Sequence, residues 1–146
     1  MSNTEGNGIV VTEPIHDLYL QMLIKLLEHN DPGASMSITL STNSGVIYGQ
    51  LVTQETWKGL WTEFLMAEGG VEAGVYGAFP DSVDSALTKA LKEAEGSEQS
   101  EGDGLPRFVH LKSATLVAPA TSRIALPFWR GRLDSVSGWS IGKPAA

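Results

Sequence analysis

Apolar and polar positions change period along this chain, and the changes divide it into elements. From Pro14 to His29 the residues Ile15, Leu18, Tyr19, Met22, Leu23, Leu26 and Leu27 recur at the three- and four-residue spacing of a helical stripe. Thr12 or Glu13 can cap this helix with Pro14 at its first position, and Asn30-Asp31-Pro32-Gly33 stops it. Leu20 and Ile24 widen the stripe. With Leu27 they form a candidate oligomer face, the alternative being deeper burial in the core. Met36-Ser37-Ile38-Thr39-Leu40-Ser41 alternates strictly, as a half-buried strand does. Asn43-Ser44-Gly45 turns the chain, with Gly45 free to take positive φ, and Val46 to Val52 returns as the partner strand.

The helical period returns over Glu55 to Met66, where Trp57, Leu60, Trp61, Phe64 and Leu65 share a face. That much aromatic area belongs in a core or at an interface. Gly69 to Phe79 reads as irregular, and Asp81 or Ser82 can cap a third helix carrying Val83, Ala86, Leu87, Ala90 and Leu91. Its alanines predict a thin contact. Glu95 to Gly104 is too polar to bury anything and reads as a flexible acidic linker.

Order resumes at Arg107. Val109 and Leu111 fall on one face of a strand and Phe108 and His110 on the other, with Thr115-Leu116-Val117 extending it or pairing with it. Pro119 to Pro127 reads as a connection. Phe128 to Val136 reads as a strand with Trp129 and Leu133 on one face and Arg130 and Arg132 on the other. Gly131 between the arginines permits a bulge or a close backbone approach. Ser137-Gly138 turns the chain into a last short strand ending at Lys143.

These elements predict an α+β fold: an N-terminal helix on a bent, mostly antiparallel sheet of about five strands, small-barrel-like in the manner of Sm and SH3 domains. The expected organisation is a flexible acidic tail over 1–12 and a single domain over 13–146. That domain carries a helical insertion over 55–94, between the second and third strands, and the acidic linker over 95–104.

Charge is unevenly placed. Residues 1–104 carry four basic groups against sixteen acids, a net −12, while residues 105–146 carry six against Asp134 alone, a net +5. Such asymmetry suits an attractive surface for a partner or for another copy of the chain, unless the halves neutralise each other within the fold. With no cysteine there is neither a disulfide framework nor thiolate chemistry, as in a reducing cytoplasm. No leader pattern and no apolar run of membrane-spanning length is visible, so a cytoplasmic location without membrane contact is expected.

Candidate chemistry is sparse. His16, His29 and His110 have no metal-ligand spacing, and no nucleophile elbow or glycine-rich phosphate loop is present. No enzyme activity, metal or cofactor is expected. The basic strand region supplies the candidate interaction surface: Arg130, Arg132, Lys112, His110 and Phe108. Salt-sensitive attraction between this basic side and the acidic portion of other copies is one expected mode of self-association. A small-barrel RNA-binding module is the alternative reading, with arginines on phosphate and Phe108 or His110 stacked on a base. The excess of acids argues against that partner.

Three segments carry a family resemblance: Phe108-Val109-His110-Leu111-Lys112, Phe128-Trp129-Arg130-Gly131-Arg132 and Gly138-Trp139-Ser140-Ile141-Gly142-Lys143, with a weaker match over Ser37 to Gly49. In order and spacing they resemble the C-terminal core of the gas-vesicle accessory protein U family, GvpU. The family members that it resembles continue into a lysine-rich tail, whereas this chain stops at Lys143-Pro144-Ala145-Ala146. The resemblance implies a non-enzymatic accessory role in gas vesicle assembly or organisation, clustering among the outputs. It also implies contacts with shell proteins, other accessory proteins or further copies of the chain as a homo-oligomer, in the cytoplasm and associated with gas vesicles.

Overall fold

The computed structural model describes residues 17–68, 73–95, 105–118 and 122–145. In chain order these form α1 (Leu18–Asn30), β1 (Met36–Thr42), β2 (Gly45–Val52), α2 (Gln54–Glu68), the short α3 (Ala73–Gly77), α4 (Phe79–Glu95), β3 (Phe108–Val117), β4 (Arg123–Arg132), a 3-10 turn (Leu133–Ser135) and β5 (Val136–Ile141). The strands make one antiparallel sheet in the order β4-β3-β2-β1-β5. The expected α+β class, the five-stranded antiparallel sheet and the helices between the second and third strands are all present.

Strand alternation puts Ile38, Leu40, Ile47, Leu51, Val109 and Leu111 on one face, where Leu20 and Ile24 of α1 cover them. Each such aliphatic side chain contributes about 1.5–3 kcal/mol on burial, so this layer holds the fold. Asp17 fixes the helix on the sheet with both carboxylate oxygens. One accepts from the Leu20 backbone N–H at 3.3 Å as the helix cap, and the other accepts from Trp139 Nε1 of β5 at 2.7 Å. The buried Gln21 is satisfied by donating to the Pro106 carbonyl at 2.8 Å.

A bulge resets the alternation in β3. Leu111 and Ala114 both face the core, and Ser113 between them has φ 51°. Gly49 stands opposite. A Cβ there would lie 2.9 Å from the Lys112 carbonyl oxygen and 3.0 Å from the Ala114 Cα, so only glycine fits beside the bulge. At Gly131 the Trp129 indole occupies the space of a side chain, so the close approach there is by a side chain and not by backbone as expected.

The sheet is open. β4 and β5 lie at opposite edges and are not paired with each other, so the small-barrel expectation of an Sm or SH3 type is not met. The sheet nevertheless has to curl. Flat, its edge strands would stand about 19 Å apart, yet the short turn Leu133–Ser135 joins them, and four virtual bonds reach at most about 15 Å.

Several boundaries differ from expectation. α1 starts at Leu18 because the Asp17 carboxylate supplies the cap, and Thr12, Glu13 and Pro14 lie outside the described residues, as does the tail over 1–12. The segment expected to be irregular contains α3, and α4 begins at Phe79, ahead of Asp81. The expected linker lies outside the described residues except for Glu95, which ends α4. β4 begins at Arg123 inside the expected connection, and Pro127 is tolerated there because β4 is an edge strand. The expected strand from Phe128 to Val136 is broken by the 3-10 turn, where the Leu133 N–H donates to the Arg107 carbonyl at 2.9 Å; Ser137-Gly138 lies within β5.

Candidate interaction surface

The second face of the sheet carries the residues expected to make contacts. The register aligns Val52 with His110 and His110 with Arg130, then Gln50 with Lys112 and Lys112 with Phe128; Phe108 stands opposite Arg132. All five candidate interaction residues therefore share one face. Their environments differ.

His110 is buried at 4% exposure beneath α2, with the Trp57 ring centroid 5.3 Å away. Its Nε2 accepts a hydrogen bond from Arg130 Nε at 3.1 Å, which leaves the ring proton on Nδ1. Burial first, and the neighbouring Arg130 charge second, push its pKa down to about 4, with Asp84 opposing. The imidazole is neutral. Burial also lowers the pKa of Arg130, whose guanidinium lies 3.8 Å from the Phe108 ring centroid in a cation–π contact. Arg132 is bonded to Asp134 but keeps an exposed side chain, and Lys112 is half-buried. The base-stacking pair of the RNA reading is thus occupied inside the fold: His110 is covered, and Phe108 has a cation on its face.

α2 covers this face with aromatics. Thr53 starts the helix, its Oγ1 accepting from the Thr56 N–H at 3.2 Å. The Phe128 centroid is 5.8 Å from that of Trp57, 6.0 Å from Trp61 and 5.6 Å from Phe64. The Trp57 indole N–H is buried with no acceptor among the described residues, at a cost of about 1–3 kcal/mol that the ring contacts must offset. α3 is tied on through Trp61 Nε1 and Thr62 Oγ1, which donate to the Tyr76 and Gly77 carbonyls.

The link from α2 to α4 escaped the sequence reading. Lys58 Nζ sits 2.8 Å from Asp84, 2.9 Å from Asp81 and 3.1 Å from Glu55, and these carboxylates, Asp84 foremost, raise its pKa and keep it charged. Glu55 at i−3 was a local clue, but Asp81 and Asp84 arrive only through the fold. Beside this link an open cleft of about 120 Å³ lies between α2 and α4, walled by Trp57, Trp61, Phe79 and Val83, with Arg130 and Asp84 at its rim.

For the candidate oligomer face on α1, the structure takes the alternative reading, burial in the core. Leu20 and Ile24 are buried against the sheet and Leu27 packs beside them, while the outward side of the helix carries Leu18, Tyr19, Met22 and Leu26. The sequence shows apolar residues on both sides of α1 but not which side meets the sheet.

Among the described residues no group of three His, Asp or Glu side chains is arranged to hold a metal, and no helix is long and apolar enough to cross a membrane. Residues 17–144 match the family model of gas vesicle protein GvpU-like. The chain belongs to the GvpU-like family. No curated protein and no solved structure matches it. It is thus a gas vesicle-related protein, and the three segments noted in the sequence lie in the first half of β3, the second half of β4, and in β5 with the two residues after it in this GvpU-like chain.

Proposed function

We propose that this protein is a non-enzymatic gas vesicle accessory protein, acting in the cytoplasm by contacts with vesicle proteins and with further copies of itself. Family membership over residues 17–144 carries the context. The contact mode is supported by the large apolar side chains exposed on α1, α2 and α4, Tyr19 at 81% and Leu91 at 57% among them. A water-facing surface of that kind marks an interaction site. Arg130 is engaged within the fold, so apolar contact contributes more to association than the basic strand, with Arg132 and Lys112 left at its rim.

Deleting the gene in a vesicle-forming cell and imaging the vesicles tests the role; unchanged vesicle number, shape and arrangement would overturn it. Light scattering of the purified chain tests self-association, and a monomer at tens of micromolar, where ordinary interfaces are populated, would remove that part.

A further inference from the structure

Helix α4 is amphipathic, yet from Ser85 to Glu93 it is exposed on every side. Its N-terminal end is held to α2 through Lys58 and the Trp61–Phe79 ring contact. Beyond that, Ala86, Leu87, Ala90 and Leu91 form an apolar stripe that stays exposed, Leu87 and Leu91 at 56% and 57%. A helix of this length takes most of its stability from packing its apolar face, so the stripe calls for a partner.

A second unmet stripe lies on the outward side of α1, where Leu18, Met22 and Leu26 repeat every fourth residue beside Tyr19. The two stripes are complementary. α1 offers bulky knobs, whereas α4 offers alanines between its leucines, and large-against-small packing interdigitates better than either stripe paired with itself. The rims are opposite in sign, with Lys25 bordering the α1 stripe and Glu93 bordering that of α4.

We infer that α4 of one copy docks on the outward face of α1 of the next. The inference rests on the self-association reading and names its contact. α1 and α4 lie on opposite sides of the sheet, so the contact is head-to-tail and repeats instead of closing into a dimer. Each stripe leaves on the order of 400 Å² outside, so one junction buries about 800 Å² in total, below the roughly 1,200 Å² of stable interfaces and in the range of weak, transient contacts. Assembly is therefore concentration-dependent and reversible.

Two variants test this. Leu87→Glu with Leu91→Glu disables the docking helix, and Met22→Glu with Leu26→Glu disables the receiving face. Light scattering is expected to show each alone as a monomer, and their equimolar mixture as a one-to-one heterodimer, because each retains the half that the other lacks. Circular dichroism confirms that both fold. Association of either variant as in the wild type overturns the inference, as does a mixture that stays monomeric. The chain has no cysteine, so an independent check mixes Leu91→Cys chains with Met22→Cys chains under mild oxidant. A disulfide between the two chain types is expected, and its absence from an assembly that still forms counts against this contact. A wild-type chain that is itself monomeric at tens of micromolar removes the self-association reading as well, which separates the two failures.

Discussion

On the α1 side of the sheet, Leu20, Ile38, Leu40, Ile47, Leu51, Val109 and Leu111 all have zero exposure. On the α2 side, Val52 and His110 of the sheet are buried, but Trp57, Trp61 and Phe128 stay partly exposed, Phe64 is 41% exposed, and α2 has no fully buried residue. The first layer is aliphatic and closed; the second is aromatic and more open, joined onward to α4 by Lys58 with its carboxylates, the Gln54–Asp84 hydrogen bonds and the Trp61–Phe79 ring contact. The second layer therefore opens at lower free energy than the first, with α2 to α4 behaving as a local unit on a sheet that holds without it.

That comparison can be broken by measurement. Leu111→Ala leaves a cavity in the closed layer and is expected to cost about 2–5 kcal/mol in denaturant unfolding, whereas Trp61→Ala, a larger deletion in the open layer, costs about 1–2 kcal/mol. Equal losses would mean that the two layers share one cooperative core.

His110 sharpens the comparison through pH. Unfolded it binds a proton below about 6.5 and folded only below about 4, so between these values the unfolded state holds more protons and stability falls as pH falls. The loss attributable to this group reaches about 2 kcal/mol by pH 5. It is read as the difference in pH dependence between the wild type and His110→Gln, and parallel curves would show the imidazole to be accessible.

Gly49→Ala is expected to cost about 1–3 kcal/mol, since a methyl group there presses on the bulge backbone at Lys112 and Ala114. A neutral outcome would mean that the bulge relaxes easily. The smallest effect is that of Lys58→Met, below about 1 kcal/mol globally because its carboxylate partners are solvated. Hydrogen exchange over 79–95 should nevertheless accelerate while the β-strands keep their protection; slowed or unchanged exchange there would show that α4 is held by something else.

Much of this was legible locally. Period two in Met36–Ser41 and Val109–Leu111, the turn at Gly45 and the helical period after Thr53 depend on backbone geometry and on side chains a few residues apart, which a sequence displays directly. The family, too, was visible in the three segments that became β3, β4 and β5. What required the tertiary structure was long-range choice. α1 is apolar on two sides, and only the sheet selects Leu20 and Ile24 over Leu18 and Met22. Asp17 displaces the expected cap because Trp139, 122 residues away, helps to place it. His110 reads as an exposed contact residue because alternation assigns a face but not its cover. α2 arrives from outside the strand pattern, so the burial of His110 and its neutral imidazole are consequences of that docking, whereas the Arg130 guanidinium is engaged by His110 and Phe108 of the adjacent strand. Lys58 likewise gains Asp81 and Asp84 only once two separate helices meet. Periodicity is a property of neighbours along the chain, whereas burial and charge pairing depend on which elements come together in space.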